Sequence, residues 1–295
     1  MDERLGLNLH RDGWPTARSL AAREEAGLRW LQVHVPPRPM LADRGRCRRH
    51  ARALRSVLHA SSLRLVLHAP DDLSVGTSEH DRAFDGMLDY AAEVGAEIVA
   101  YHGMNFADAE GPARARIRER GWVGEDEERS LRGLLQRAHT LGVIVAVENL
   151  APVHPAPPRL CHDALAVRDF VRRLDSPAAG MLLDVGHLHI TTDASHTDIA
   201  GVAAAVAPDV VLFHLHDNLG VRRHDLDAPG VDPLKLDLHL PPGRGCLPWG
   251  RIAGVLRDHA APLLLEVELS QRPSLPELAV ATLRVLASEP QRAAA

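Results

Sequence analysis

Aromatic residues make up only 3% of this 295-residue chain, so a large core has to be built from Leu, Val, Ile and Ala. Such a core suits buried parallel strands covered by Ala- and Leu-rich helices. Lysine is scarcer still, Lys235 being the only one, and it stands in a polar, Pro-flanked stretch. Imine chemistry needs a desolvated amine, so Schiff-base catalysis is not expected. Cys47, Cys161 and Cys246 are far apart and form no CxxC pair. That argues against both a disulfide framework and a thiolate zinc site. No apolar run reaches the roughly 18 residues needed to span a bilayer, and the polar start, Met1 to His10, is unlike a signal peptide. The expectation is a soluble, cytoplasmic protein. A formal net charge of -5 lends no support to nucleic-acid binding.

What the chain has is order. Short apolar runs alternate with amphipathic stretches along its length. Strands are expected at 5–9, 29–34, 64–68, 97–102, 143–148, 179–184, 210–214 and 263–268. Helices are expected at 19–26, 46–60, 79–94, 127–141, 163–174, 198–206, 249–259 and 275–287. Gly27, Gly95 and Gly142 fall between a helix and the next strand, where left-handed caps belong. Eight such βα units predict an α/β protein, a single (β/α)8 TIM barrel spanning residues 1–295. A doubly wound open sheet is the alternative, but no G-x-G-x-x-G follows the first strand. Two connections are long, 150–162 and 216–247, and both follow strands. Both would therefore lie on the C-terminal face, where barrel active sites form.

Ionisable residues recur at the ends of the apolar runs: His68 in LVLHAP, His102 in IVAYHG, Glu148 in VAVENL, Asp184 and His187 in LLDVGHLH, His214 in LFHLHDN, Glu266 in LLLEVEL. A single such residue is most simply a solvated or capped side chain. Six strands in succession are hard to explain that way, because a charge ending an apolar strand is costly unless paired or metal-bound. In a barrel these ends converge on one pocket. Imidazole and carboxylate together suit Zn²⁺, Mn²⁺, Fe²⁺ or Co²⁺. Weaker candidates are His189, His216, Asp217 and Glu268. Asp217 and Asn218 are read as orienting the loop around His214.

With HAP at His68, VEN at Glu148, DVGH at Asp184, HLHDN at His214, DLHLPPGRG at Asp237 and LLLE at Glu266, the chain resembles the xylose-isomerase-like superfamily from about Leu5 to Leu286. That superfamily includes sugar isomerases and epimerases and the abasic-site endonucleases. In the isomerases and epimerases, the resemblance implies one metal held by Glu148, Asp184, His214 and Glu266. The two glutamates would also exchange the substrate proton, and His187 would contact substrate. The endonuclease branch implies up to three ions, adding His68, His102, His187, Asp237 and His239 as ligands. Trp249, in LPWGRI, occupies a position typical of the superfamily, where it most simply packs the start of the last helix. Arg222, Arg223 and Arg244 are either solvated loop residues or an anion clamp for a phosphate or carboxylate.

Two functions follow. The first is a divalent-metal-dependent isomerase or epimerase of a sugar or sugar derivative, with paired Glu residues transferring a proton through a metal-stabilised enediolate. The second is a multinuclear-metal hydrolase of a phosphodiester or related bond; oxidation or lyase chemistry on the same site is a further alternative. The stretches after His68 (APDDLSVGT) and His102 (GMNFADAEG) carry no basic or aromatic groups suited to gripping a strand or a flipped nucleotide, which argues against DNA as a partner. The expected partner is a small molecule. A homodimer is the default assembly for such a chain.

Overall fold

A computed structural model describes residues 2–11, 13–104, 123–152, 159–221 and 236–289. Eight parallel strands close into a barrel in sequence order: β1 (Leu5–Asn8), β2 (Trp30–His34), β3 (Arg64–His68), β4 (Ile98–Tyr101), β5 (Ile144–Glu148), β6 (Ala179–Asp184), β7 (Val210–Leu215) and β8 (Leu263–Leu265). Pairing of β1 with β8 completes the ring. The helices around it are α1 (Ala17–Glu25), α2 (Arg38–Ala42), α3 (Arg44–Leu58), α4 (Ser78–Val94), α5 (Val123–Leu141), α6 (Ala164–Leu174), α7 (Val185–Ser195), α8 (Ile199–Val206), α9 (Trp249–Asp258) and α10 (Leu275–Leu286). The expected TIM barrel is what the chain forms.

The two faces of each strand bury different things, as a period of two requires. Leu7, Leu31, Leu67, Val99, Val145, Leu183, Phe213 and Leu265 point outward and pack beneath the helices. Their neighbours Trp30, Val66, Ile98, Ala100, Ala146, Leu182, Leu212 and Leu264 fill the barrel interior as a separate cluster. Truncating one of these buried leucines to Ala would cost about 2–5 kcal/mol. Trp30 plugs the lower end, with the Arg64 guanidinium 3.9 Å from its ring centroid. Gly6 makes room for it, since a Cβ there would come within 2.5 Å of the Trp30 Cβ. The inward alternation continues upward. Two residues beyond Val66, Ala100, Ala146, Leu182, Leu212 and Leu264 stand His68, His102, Glu148, Asp184, His214 and Glu266. The interior thus turns from apolar to ionisable within one layer.

Gly27, Gly95 and Gly142 cap helices with φ between 70° and 83°, as their places in the sequence predict. Three details differ from expectation. Strand β4 ends at Tyr101 and β8 at Leu265, so His102 and Glu266 sit just past their strands. Helix α2 was not expected, being only five residues long. Nor was α7, so His187 and His189 lie on a helix rather than at a strand end. Helix α7 is β-branched in part and buried on most sides, which erases the amphipathic pattern that reveals other helices. Among the described residues, no helix is long and apolar enough to cross a membrane.

Candidate metal centre

The ionisable residues line a cavity of 490 Å³ at the C-terminal end of the barrel, with His34, His68, His102, Glu148, His187, Asp237, His239 and Glu266 in its wall. Donor atoms gather in three sets, each spanning no more than 4.8 Å: His68, His102 and Glu148; Glu148, Asp184, His214 and Glu266; and His187, His216, Asp237 and His239. Two carboxylates link them. Glu148 turns Oε1 toward His214 Nδ1 at 3.1 Å and Oε2 toward His102 Nε2 at 3.2 Å. Asp184 sets Oδ2 3.8 Å from His214 Nδ1 and Oδ1 3.0 Å from His216 Nε2.

Four of the imidazoles are oriented by what their second nitrogen meets. His187 Nδ1 donates to the Asn149 carbonyl at 2.8 Å, leaving Nε2 free to face Asp237 at 3.3 Å. His239 Nδ1 donates to the Glu266 carbonyl at 2.9 Å, and Nε2 faces Asp237 at 2.8 Å. His68 Nδ1 donates to the Ala69 carbonyl at 2.7 Å. His214 is reversed: Nε2 donates to Gln32 Oε1 at 2.8 Å, which turns Nδ1 toward the carboxylates. The Gln32 amide in turn donates to Glu266 Oε1. Partners of this kind set the tautomer of a metal-binding histidine. Asn149 does comparable work for Asp184, bonding its backbone N–H and C=O at 2.9 and 3.0 Å. Asp184 is also the N-cap of α7, accepting from the His187 N–H at 2.8 Å.

Charge follows proximity. Burial disfavours an ionised Glu148, but His214 and His102 more than offset it and hold the carboxyl well below the usual carboxylate range. Burial likewise opposes charge on Asp237, and His239 and His187 reverse it. On the other side of these pairs, burial lowers His214 while Glu266 and Glu148 raise it, to about 9. Burial opposes charge on His239 too, and Asp237 raises it to about 10. His68, buried and beside His102, is pushed down to about 4. His214 with Glu148 and Glu266, and His239 with Asp237, are therefore carboxylate–imidazolium pairs, and a cation entering between them displaces protons.

The residues fit a divalent metal. Glu148 Oε2, Asp184 Oδ2, Asp237 Oδ1 and both ring nitrogens of His216 are buried and make no hydrogen bond of good geometry, although Glu148 Oε2 lies 3.2 Å from His102 Nε2 and His216 Nε2 lies 3.0 Å from Asp184 Oδ1. Unsatisfied buried groups of this kind are costly. Imidazole and carboxylate donors suit zinc, manganese, iron or cobalt.

Other expected site residues lie elsewhere. Trp249 is buried at the start of α9, its Nε1 donating to Asp217 Oδ2 at 2.9 Å, and it does not line the cavity. Asp217 accepts four N–H groups, the others from Asn218, Gly243 and Leu247 at 2.9 to 3.0 Å. It thus fastens the segment after β7 instead of facing a donor set. His189 bonds Asn218 Oδ1 through Nδ1 at 2.7 Å. Glu268 lines the cavity without joining a set. Arg244 is exposed and away from the cavity. Arg222 and Arg223 lie outside the described residues.

Sequence reading missed Gln32 and His34. The His34 ring lies tilted against that of His68, with centroids 4.6 Å apart, and burial together with His68 lowers its pKa to about 3. It ends strand β2 just as His68 ends β3, so the same signal was present. Gln32 is uncharged and mid-strand, and nothing local marks it.

The chain matches the family described as Xylose isomerase-like TIM barrel over residues 20–289, and belongs to that family. No curated protein matches it. Among solved structures it is similar to a D-tagatose 3-epimerase-like protein (15% identity, 96% of each chain covered, TM-score 0.69). It is also similar to the 3-keto-D-glucoside 4-epimerase of E. coli (14% identity, 96% and 98% covered, TM-score 0.65). A third is a Thermus thermophilus protein soaked with ZnCl2 (23% identity, 96% and 98% covered, TM-score 0.62). At such identities the likeness is one of fold.

Proposed function

We propose that this chain is a divalent-metal-dependent isomerase or epimerase acting on a sugar or sugar derivative. The observation that carries the reading is the pair Glu148 and Glu266, whose carboxylates flank His214 Nδ1 at 3.1 and 3.4 Å on the floor of the cavity. Glu148, Asp184, His214 and Glu266 would hold the metal. When bound, it supplies Lewis acidity to a carbonyl and its neighbouring hydroxyl. Glu148 and Glu266 come from separate strands, β5 and the end of β8, so one can take a proton from carbon while the other returns it. The depressed Glu148 carboxyl is ionised, the form in which a carboxylate binds metal. His187, in the wall and anchored through Nδ1, is placed to donate to a substrate oxygen from Nε2. A cavity of 490 Å³ accommodates a monosaccharide, and sugar epimerases stand among the proteins of similar fold.

A second reading, a multinuclear hydrolase of a phosphodiester or related bond, is favoured by one observation. Glu148 Oε2 turns away from His214 toward His68 and His102, which extends the donors beyond a single ion. One experiment separates the two. Metal-loaded protein is incubated with a panel of keto- and aldo-sugars in D₂O and followed by NMR, alongside a chromogenic phosphodiester. Isomerase or epimerase action puts deuterium on a sugar carbon. Phosphodiester cleavage with no carbon-bound deuterium would replace the first reading with the second.

A further inference from the structure

The metal donors occupy only part of the cavity wall. The rest is formed beyond the ends of β1, β2 and β8 and includes Asn8, Arg11, His34 and Arg272. In the closed ring β1 lies across the barrel from β5, the strand of Glu148. Arg11 is committed to an ion pair with Asp71. Arg272 is different. Its Nη2 donates to Asn8 Oδ1 at 2.6 Å and to the Val267 carbonyl at 2.7 Å, both neutral oxygens. Among the described residues it forms no ion pair, and Nη1 and the buried Nε make no hydrogen bond. Glu268 also lines this side, but its Oε1 accepts the Leu269 N–H at 3.1 Å. Arg23, a buried neighbour on α1, gives Nη1 to the Ser19 carbonyl at 2.8 Å and likewise forms no ion pair among the described residues. Burial and Arg23 lower the Arg272 pKa to about 10 while Glu268 opposes them, so the guanidinium stays charged at neutral pH. A charge withdrawn from water without an opposite partner is costly.

We infer that Arg272 and Asn8 form an anion subsite, and that the sugar handled by Glu148 and Glu266 carries a carboxylate or phosphate group. A guanidinium can only donate, so its bond to Asn8 Oδ1 turns Asn8 Nδ2 outward as a second donor. Nη1 and Nδ2 are then the two groups left for a ligand. Hydrogen bonds from a charged donor to a carboxylate or phosphate are about twice as strong as neutral ones. The bond to Val267, the residue after Glu266, fixes the guanidinium beside the end of β8. The anionic end of the substrate therefore lies on the β8 and β1 side, and the metal donors of β3 to β7 are left to its reacting end. A recess of 320 Å³ that shares Arg11, His34 and Asp71 with the cavity continues it on this side, with room for a group larger than a hydroxyl. The inference rests on the sugar reading of the cavity, but binding of the anion does not depend on the reaction.

The test uses metal-loaded protein and calorimetry, with ketoses and aldoses each compared with its own 6-phosphate and its uronate. The anionic member of at least one pair is expected to bind about 10–100-fold more tightly than the neutral one, and the preferred pair tells phosphate from carboxylate. In Arg272→Gln the ratio should fall to about 1 at unchanged metal content. Arg272→Lys, which keeps the charge without the planar fork, should retain part of it. The inference is overturned if neutral sugars bind as tightly as anionic ones, if no anionic sugar binds, or if Arg272→Gln keeps the preference. Equal loss of both members of a pair in that variant would also overturn it. Should the variants not fold, wild-type Arg272 must be protected from phenylglyoxal by the anionic sugar and not by the neutral one, as located by peptide mass spectrometry. Deuterium exchange separates the two readings. Preference for an anionic sugar with no deuterium on carbon would fail the reaction alone, and deuterium on a neutral sugar with no anionic preference would fail the subsite alone.

Discussion

The strand-borne set (Glu148, Asp184, His214, Glu266) and the loop-borne set (His187, His216, Asp237, His239) share chemistry and differ in support. The first stands on or beside β5 to β8, where paired backbone fixes each Cβ and the alternation aims every side chain inward. The second is assembled from a helix turn, the residue after β7 and the segment at 236–240. His239 even adopts a left-handed backbone, with φ 48°, a conformation that costs a non-glycine residue energy. The strand set gains its precision from the barrel itself. The loop set has to be held by other bonds, those of Asp217 with its four donors and of Asn149 with His187. Reaction chemistry belongs on the rigid set.

The largest effect expected from breaking this division is that of Glu148→Gln. A carboxylate with one oxygen in each of two sets is lost. Solvent-proton exchange into substrate should fall by about 10³-fold, within the range of general acid–base contributions, as measured by NMR in D₂O. Full metal content together with full activity in this variant would sink the assignment of the site. Gln32→Leu removes the acceptor for His214 Nε2 and a donor to Glu266. Affinity at the strand set should drop by about 10–100-fold, as checked by competition with a chromophoric chelator. Equal weakening of both sets would mean that they are not independent.

Trp249→Phe acts on the other side. It deletes one of four hydrogen bonds to the buried Asp217, a loss of about 1–3 kcal/mol, read by denaturant unfolding. Metal affinity at the strand set should stay unchanged. The smallest effect concerns Glu127, remote from the division and useful as a control. Burial raises its carboxyl to about 7, against hydrogen bonds from Tyr101 and the Met104 N–H. The folded state thus holds this proton more tightly than the unfolded chain, whose carboxyl titrates near 4.5. Its stabilising contribution is complete below about pH 4.5 and is lost as pH rises toward 7. Thermal melts should show the wild type losing more stability than Glu127→Gln between pH 5 and pH 7.5. Parallel pH profiles would reject the raised carboxyl.

Periodicity in the sequence was sufficient for the barrel. Strands buried on both sides read as apolar runs, helices as amphipathic ones, and Gly95 or Gly142 as the punctuation between them. The strand-end donors were legible for the same reason, since a charge closing an apolar run contradicts its neighbours. Helix α7 escaped because an element buried on most sides has no polar face to betray it. Gln32 escaped because an uncharged side chain within a strand contradicts nothing.

By itself, then, the order of residues determined the closed barrel and the inward face that bears His68, His102, Glu148, Asp184, His214 and Glu266, because a period of two along one strand is a local property. Only the tertiary structure decided how the donors divide into sets, that Glu148 and Asp184 each belong to two neighbourhoods, and that His216 meets His187, Asp237 and His239. Those relations join segments from about 20 to about 120 residues apart. They depend on the register of eight strands and on close approaches such as Gly186 against His216, which no local pattern encodes.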